Sequence, residues 1–379
     1  MNFVSLAGLY IHIPFCRKAC NYCNFHFSTQ VKYLEPMVDA ICQDIEQNHS
    51  YLSSQPLNTI YFGGGSPSLL PQNLLGRIID SINRHFNTDN IIEITLEANP
   101  EDIHKENLFA WKSMGIQRLS LGIQSLQDSE LLWMNRSHTA SQSKKALSLA
   151  QSSGFFQLSL DLIYGSEKKT MPQWQSELKW ILDTGISHLS CYALTIEEKT
   201  VFGNWVNQKK MQPLSDDHAA QQFNHLCNWA IQNNWDHYEI SNLCKEGKRA
   251  IHNSHYWQGK MYLGIGPAAH SFNGNSRRWN VANNMAYIKQ ITQKLPAWEE
   301  EILSEKDIFN EYLLTQLRLL DGADLGELEK LHPGYLVSKQ NTIDKLIQKQ
   351  TLYIHNNRLA IQPTARFLSD AITIEMMID

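Results

Sequence analysis

Ile92-Glu93-Ile94-Thr95-Leu96-Glu97 alternates without a break: the apolar side chains share one face of a strand, and Glu93, Thr95 and Glu97 share the other. Two more runs repeat the pattern. Leu119, Leu121 and Ile123 oppose Arg118, Ser120, Gly122 and Gln124, while Leu158, Leu160 and Leu162 oppose Gln157, Ser159 and Asp161. Strands buried on both faces of a parallel sheet normally read as near-continuous apolar runs. Here one face suits packed helices and the other is polar. A polar interior is costly to keep dry, so this face is expected to meet a polar ligand or water.

Working outward, strand candidates fall at Leu9–Ile13, Thr59–Phe62, Ile91–Glu97, Gln117–Ile123, Phe156–Ile163 and His188–Ala193. Helical patterns at Leu34–Glu46, Gln72–His85, Ala140–Gln151 and Pro172–Leu182 alternate with them. Repeated β-then-α units imply parallel strands joined by right-handed crossovers. The expected fold is α/β, a partial (β/α)6 TIM-like barrel over residues 1–290. A doubly wound sheet is the alternative that the pattern barely separates from it. Ligands in such folds sit beyond the carboxyl ends of the strands. Glu97, Gln124 and Asp161 lie near such ends and are candidate ligand-binding residues, with ordinary barrel-core hydrogen bonding as the other reading.

Directly after the first strand comes Cys16-Arg17-Lys18-Ala19-Cys20-Asn21-Tyr22-Cys23. Thiolates are soft ligands that select zinc or iron–sulfur centres. Structural zinc normally takes four ligands, often as two separated pairs; here three cysteines crowd one loop and no second pair follows. A [4Fe–4S] cube is usually held by four cysteines, so three would leave one iron without a protein ligand. A Cys3His zinc site closed by His26 or His12, or three unliganded cysteines, are the other readings. Cys42, Cys191, Cys227 and Cys244 are scattered and read as small buried hydrophobes. Seven cysteines so arranged suit a reducing, cytoplasmic setting.

With Tyr22 before its last cysteine, this loop resembles the radical-SAM (S-adenosylmethionine) family. The resemblance implies that Cys16, Cys20 and Cys23 hold a [4Fe–4S] cluster. It also implies that the amine and carboxylate of S-adenosylmethionine chelate the fourth iron, and that an electron from the cluster cleaves the sulfonium. The glycines of Phe62-Gly63-Gly64-Gly65-Ser66-Pro67 follow the second strand. They read as a tight turn or as backbone pressed on a ligand, and no GK[ST] follows to make a phosphate loop. By the resemblance Gly64, Gly65 and Ser66 approach the amino group of S-adenosylmethionine, and Glu97 in Leu96-Glu97-Ala98-Asn99-Pro100 contacts it. Tyr10 and Tyr22 are further cofactor-binding positions. Arg136 suits a carboxylate or ribose, or equally a helix start at the surface.

Three dense pieces lie downstream: Tyr238-Glu239-Ile240-Ser241-Asn242, His252-Asn253-Ser254-His255-Tyr256-Trp257 and Gly264-Ile265-Gly266-Pro267-Ala268-Ala269-His270-Ser271. The last is expected to press backbone on a planar group such as adenine, or to form a tight turn. Together with the YIHIPFC run, the cysteines and the glycine loop, they closely resemble the HemW-type haem chaperones, relatives of the oxygen-independent coproporphyrinogen III oxidase. That resemblance spans roughly Gly8 to Ser271. It implies a cluster and S-adenosylmethionine in the barrel, haem bound with His252 as candidate ligand, and delivery to haem-requiring acceptor proteins. The oxidase has one more cysteine two residues after the third, where this chain has Phe25. That counts against porphyrinogen decarboxylation, although the oxidase or another radical-SAM enzyme is the alternative function.

Residues 297–379 read as a second, winged-helix-like α+β unit. Helices near Asp307–Leu320, Asp324–Leu331 and Tyr335–Gln348 precede a hairpin turning at Asn356-Asn357. From Glu299 onward 14 acidic residues face 8 basic ones, the wrong balance for a phosphate-binding face. The net charge of −5 and pI ≈ 6.3 likewise give no support for nucleic acid as a partner. No apolar run reaches transmembrane length. A homodimer is left open.

Overall fold

The computed structural model describes residues 6–53 and 55–378; residues 1–5 of the expected barrel unit lie outside them. Six β/α units build the core of the chain: β1 (Ala7–Ile13), α1 (Leu34–Asn48), β2 (Leu57–Gly64), α2 (Gln72–His85), β3 (Glu93–Ala98), α3 (Lys105–Ser113), β4 (Arg118–Gln124), α4 (Asp128–Trp133), α5 (Ala140–Ser152), β5 (Gln157–Tyr164), α6 (Met171–Thr184) and β6 (His188–Ala193). These strands are parallel and hydrogen-bonded in chain order, β1 to β6. An order with no reversal is barrel winding; a doubly wound sheet would turn back at a switch point.

α7 (Val201–Asn207) and α8 (Asp216–Gln232) follow, and β7 (Asn242–Cys244) closes one edge against β6. α9 (Ile251–Trp257) leads into β8 (Tyr262–Ile265), which joins the free side of β1 in parallel. β9 (His270–Phe272), β10 (Ser276–Asn280), α10 (Asn284–Thr292) and β11 (Trp298–Ile302) complete an 11-stranded sheet. Trp298–Ile302 thus belongs to that sheet.

The two-faced strands fold as their alternation requires. Leu96, Leu119, Leu121, Leu158, Leu160 and Leu162 are buried in one apolar core with the surrounding helices, each contributing about 2 kcal/mol. Ile92 lies just outside β3 and is exposed. On the inner face several deeper polar groups pair with one another. Ser159 Oγ lies 2.7 Å from His188 Nδ1, and His188 Nε2 lies 2.8 Å from the Tyr238 hydroxyl. The upper rim of the polar face opens onto the larger cavity described below, and the deeper part lines a small one of ≈ 30 Å³. The rim is stiffened from behind by buried Lys169, which pairs with Glu177 at 2.7 Å and Glu130 at 3.4 Å. Glu177 also accepts from the Leu126 backbone N–H at 2.7 Å, just beyond Gln124, whose φ is +67°.

The chain then forms α11 (Glu305–Gln316), β12 (Ala323–Asp324), α12 (Leu325–Leu331), α13 (Tyr335–Gln348), β13 (Leu352–His355), β14 (Arg358–Ile361) and α14 (Ser369–Met376). Its separate apolar core starts at Phe309. The three-stranded sheet runs β12-β14-β13, the helix–strand–helix–helix–hairpin order of a winged helix. Among the described residues no helix is long and apolar enough to cross a membrane.

Candidate functional site

The cysteine loop leaves the carboxyl end of β1 and returns beside it. Cys16 N–H donates to the Ser28 carbonyl (3.0 Å) and Ser28 N–H to the Pro14 carbonyl (2.8 Å). The segment after α4 grips its far side: Asn21 N–H donates to the Met134 carbonyl and Asn135 Nδ2 to the Ala19 carbonyl at 2.7 Å. Cys16, Cys20 and Cys23 carry free thiols that line a cavity of ≈ 540 Å³. Tyr22, Gly64, Gly65 and Ser66 line it too, as do Glu97, Gln124, Arg136 and Asp161. Tyr10 and His252, also named from sequence as cofactor-binding, do not line it.

A polar chain links two of the thiols. Ser66 Oγ sits 3.6 Å from Cys16 Sγ and accepts from Asn99 Nδ2 at 2.7 Å. Asn99 Oδ1 accepts from Arg136 Nη2 at 2.6 Å, and Arg136 Nη1 lies 3.4 Å from Cys20 Sγ. Asn99 was not singled out by sequence, although it stands two residues beyond Glu97. Burial opposes the Arg136 charge, but Tyr22, Cys20 and Glu101 outweigh it and raise its pKa. At Cys16 and Cys23 the Arg136 charge works against the effect of burial. Burial pushes the Cys16 thiol up to about 12 and Cys23 to about 11, so metal uptake must expel protons.

The donor set fits an iron–sulfur cube better than zinc. His12 Nε2 is 2.9 Å from the His26 carbonyl and its Nδ1 is 3.1 Å from the Tyr10 hydroxyl, leaving no free nitrogen. His26 Nε2 is held by Asn284 at 2.7 Å. Among the described residues no three or more His, Cys, Asp or Glu side chains converge to hold a metal ion. Thiols that face one cavity without converging on a point are what a cube needs, because each serves a different iron.

Glu97 accepts from the Tyr61 hydroxyl at 2.8 Å and from Gly64 N–H at 3.2 Å, and burial pushes its carboxyl up to about 7. Asp161 accepts from Ser120 Oγ at 3.0 Å, and burial pushes it up to about 6. Two carboxyls poised near neutrality suit a cationic ligand. The glycine loop is shaped by the cysteine loop: a Cβ on Gly65 would stand 2.6 Å from the Phe15 carbonyl oxygen. Gly65 N–H and Ser66 N–H donate to the Ile13 and Phe15 carbonyls at 2.9 and 2.8 Å.

Gly264, read as lying against a planar ligand or in a tight turn, packs under the protein's own chain, and neither it nor Gly266 lines the cavity. A Cβ at Gly264 would collide with the His270 carbonyl. Gly264→Ala is therefore expected to destabilise the fold by about 1–3 kcal/mol, read as a lower denaturation midpoint, with a value within error of the parent contradicting this packing.

His252 sits at the opposite, amino-terminal mouth of the barrel, which α9 plugs. It is buried; Nδ1 lies 2.8 Å from Thr59 Oγ1 and Nε2 2.9 Å from the Tyr256 hydroxyl. Its ring stacks on Tyr61 at 5.1 Å, and Tyr61 in turn on Tyr10 at 6.0 Å. Burial, then His255, lowers its pKa to about 3, which keeps the imidazole neutral.

The radical SAM superfamily profile matches residues 10–181. Heme chaperone HemW of Mycobacterium tuberculosis is 29% identical over 370 residues, 96% of this chain and 93% of that protein. Heme chaperone HemW of Synechocystis is 32% identical over 343 residues, 87% of this chain and 82% of that protein. The coproporphyrinogen III oxidase structure from Escherichia coli superposes with a TM-score of 0.85 at 20% identity, covering 98% of this chain and 90% of its own; it shares the fold. Sequence likeness along almost the whole length, on a barrel whose cysteine and glycine loops meet at one cavity, places the chain in the HemW family of haem chaperones within the radical SAM superfamily.

Proposed function

We propose that the chain is a haem chaperone. Cys16, Cys20 and Cys23 hold a [4Fe–4S] cluster, S-adenosylmethionine enters the cavity, and His252 ligates haem that passes to acceptor proteins. The observation that carries the cofactor reading is the meeting of three free thiols in one cavity with the half-buried Glu97 and Asp161 carboxyls. The bound cluster would supply an iron open to the methionyl group and an electron at low potential. Arg136 would balance thiolate charge, and Ser66 and Asn99 would hold Cys16 and Arg136 in place. Tyr61 and Gly64 fix Glu97, which would accept from a ligand hydroxyl or pair with its positive charge. Phe25, 72% exposed at the cavity mouth, offers no ligand where the oxidase pattern has its extra cysteine.

The haem reading rests on family membership and on a neutral His252. It is tested by loading the anaerobically reconstituted protein with haemin and mixing it with an apo haem enzyme. Transfer, with no turnover of coproporphyrinogen in the presence of S-adenosylmethionine and reductant, is expected. Robust turnover without transfer would reverse the reading.

The Glu97 carboxyl also sets a pH dependence. Below about pH 7 it is mainly neutral; above, it is charged. A cationic ligand pairs with the charged form, so S-adenosylmethionine affinity should strengthen from pH 6 to pH 8 by up to about tenfold. Calorimetric titration reads it, and Glu97→Gln should flatten the profile.

A further inference from the structure

His252 cannot meet haem in the closed conformation, because both ring nitrogens are taken and the ring is buried. The helix that carries it is fastened at both ends. At the amino end the Glu93 carboxylate accepts from the backbone N–H groups of Ile251 (3.1 Å) and His252 (2.9 Å). Glu93 is buried and faces Arg118 Nη1 at 3.7 Å. At the other end Gln316 Nε2 donates to the Trp257 carbonyl at 2.6 Å, and the Arg318 guanidinium lies 5.0 Å over the Trp257 ring. Gln316 ends α11, so the C-terminal unit supplies this second fastening.

The two ends differ in quality. Charge-assisted bonds to Glu93 are strong. The seam with the C-terminal unit rests on weaker ties: one neutral hydrogen bond from Gln316, and Arg318, whose guanidinium lies over the Trp257 ring and 4.0 Å from Glu239 Oε2. The closed state is therefore held by a strong clamp at one end and a weaker one at the other, and loosening either favours a lifted position.

We propose that α9 is a latch over the haem ligand: Glu93 and the C-terminal unit hold it shut, and haem binds after the helix lifts from the barrel mouth. The proposal rests on the reading of His252 as ligand. Apparent affinity equals intrinsic affinity scaled by the open fraction, so weakening the latch should tighten haem binding. A residue that merely shaped the site would do the reverse.

The test is haemin binding, followed by Soret absorbance at equilibrium and in stopped flow, for Glu93→Gln and separately Gln316→Ala. Glu93→Gln loses the charge and at least one of the two bonds; haemin should bind about tenfold tighter and faster. Gln316→Ala loses one neutral bond and should gain about threefold. Adding His252→Ala should erase either gain. Equal or weaker binding in both variants would overturn the latch, and if Glu93→Gln does not fold, Gln316→Ala decides alone. If His252→Ala by itself leaves haemin binding intact, the ligand assignment fails and the latch with it. If His252→Ala abolishes binding while neither latch variant gains, only the latch fails.

Discussion

Cys20→Ser, reconstituted anaerobically, should retain almost no iron or sulfide, against about four of each per chain for the parent. Serine presents a hard, rarely ionised oxygen where the cube needs a soft thiolate. The change also removes the sulfur that lies 3.4 Å from Arg136 Nη1, so the loop loses a ligand and the guanidinium loses a neighbour. Cys20 is only half-buried and packs in no apolar core, so the denaturation midpoint of the metal-free protein should hardly move. S-adenosylmethionine affinity should fall with the iron, because the amine and carboxylate of the ligand lose their anchor. A variant that kept its iron would show that Cys20 is no ligand.

The second large effect is expected at His252. His252→Ala should weaken haemin binding by about 100-fold or more, since loss of even an outer-sphere partner of a metal ligand costs 10- to 100-fold. It should also remove the low-spin Soret signature of an imidazole ligand. The same change leaves Thr59 Oγ1 and the Tyr256 hydroxyl without their shared partner, at a stability cost of about 2 kcal/mol. His252→Gln, which can still hydrogen-bond both, separates the two consequences. It should restore much of the stability and none of the haem signature. Haem affinity recovered by glutamine would assign His252 a structural role.

The rim of the site was legible in sequence because it is local. A cysteine loop after one strand, three glycines after the next and carboxylates near later strand ends each announce themselves over a few residues, and parallel order then brings them together. Helix α2 and strand β6 fall where periodicity puts them. Helices α3 and α4 escaped notice: the first is weakly amphipathic and the second only six residues long. The short antiparallel strands escaped too, since Trp298–Ile302 is mostly glutamate and gains strand character only from its pairing with β10.

What sequence could not give is non-local. The Glu93 carboxylate reaches across 159 positions to the amide of His252, and nothing near either residue announces the pairing. The glycines at 264 and 266 left two readings open for a related reason. A glycine reports crowding without naming the neighbour, and here the neighbours are the backbones of His270 and His12.

The central claim, an iron–sulfur cube gripped by three thiols with its last corner open, has a direct spectroscopic test. Dithionite-reduced protein is examined by electron paramagnetic resonance without and with S-adenosylmethionine labelled with 15N at its amine. The account predicts a reduced-cluster signal that changes on adding the ligand and carries hyperfine coupling to the labelled nitrogen. A signal indifferent to S-adenosylmethionine, or a preparation without iron and sulfide, would contradict it.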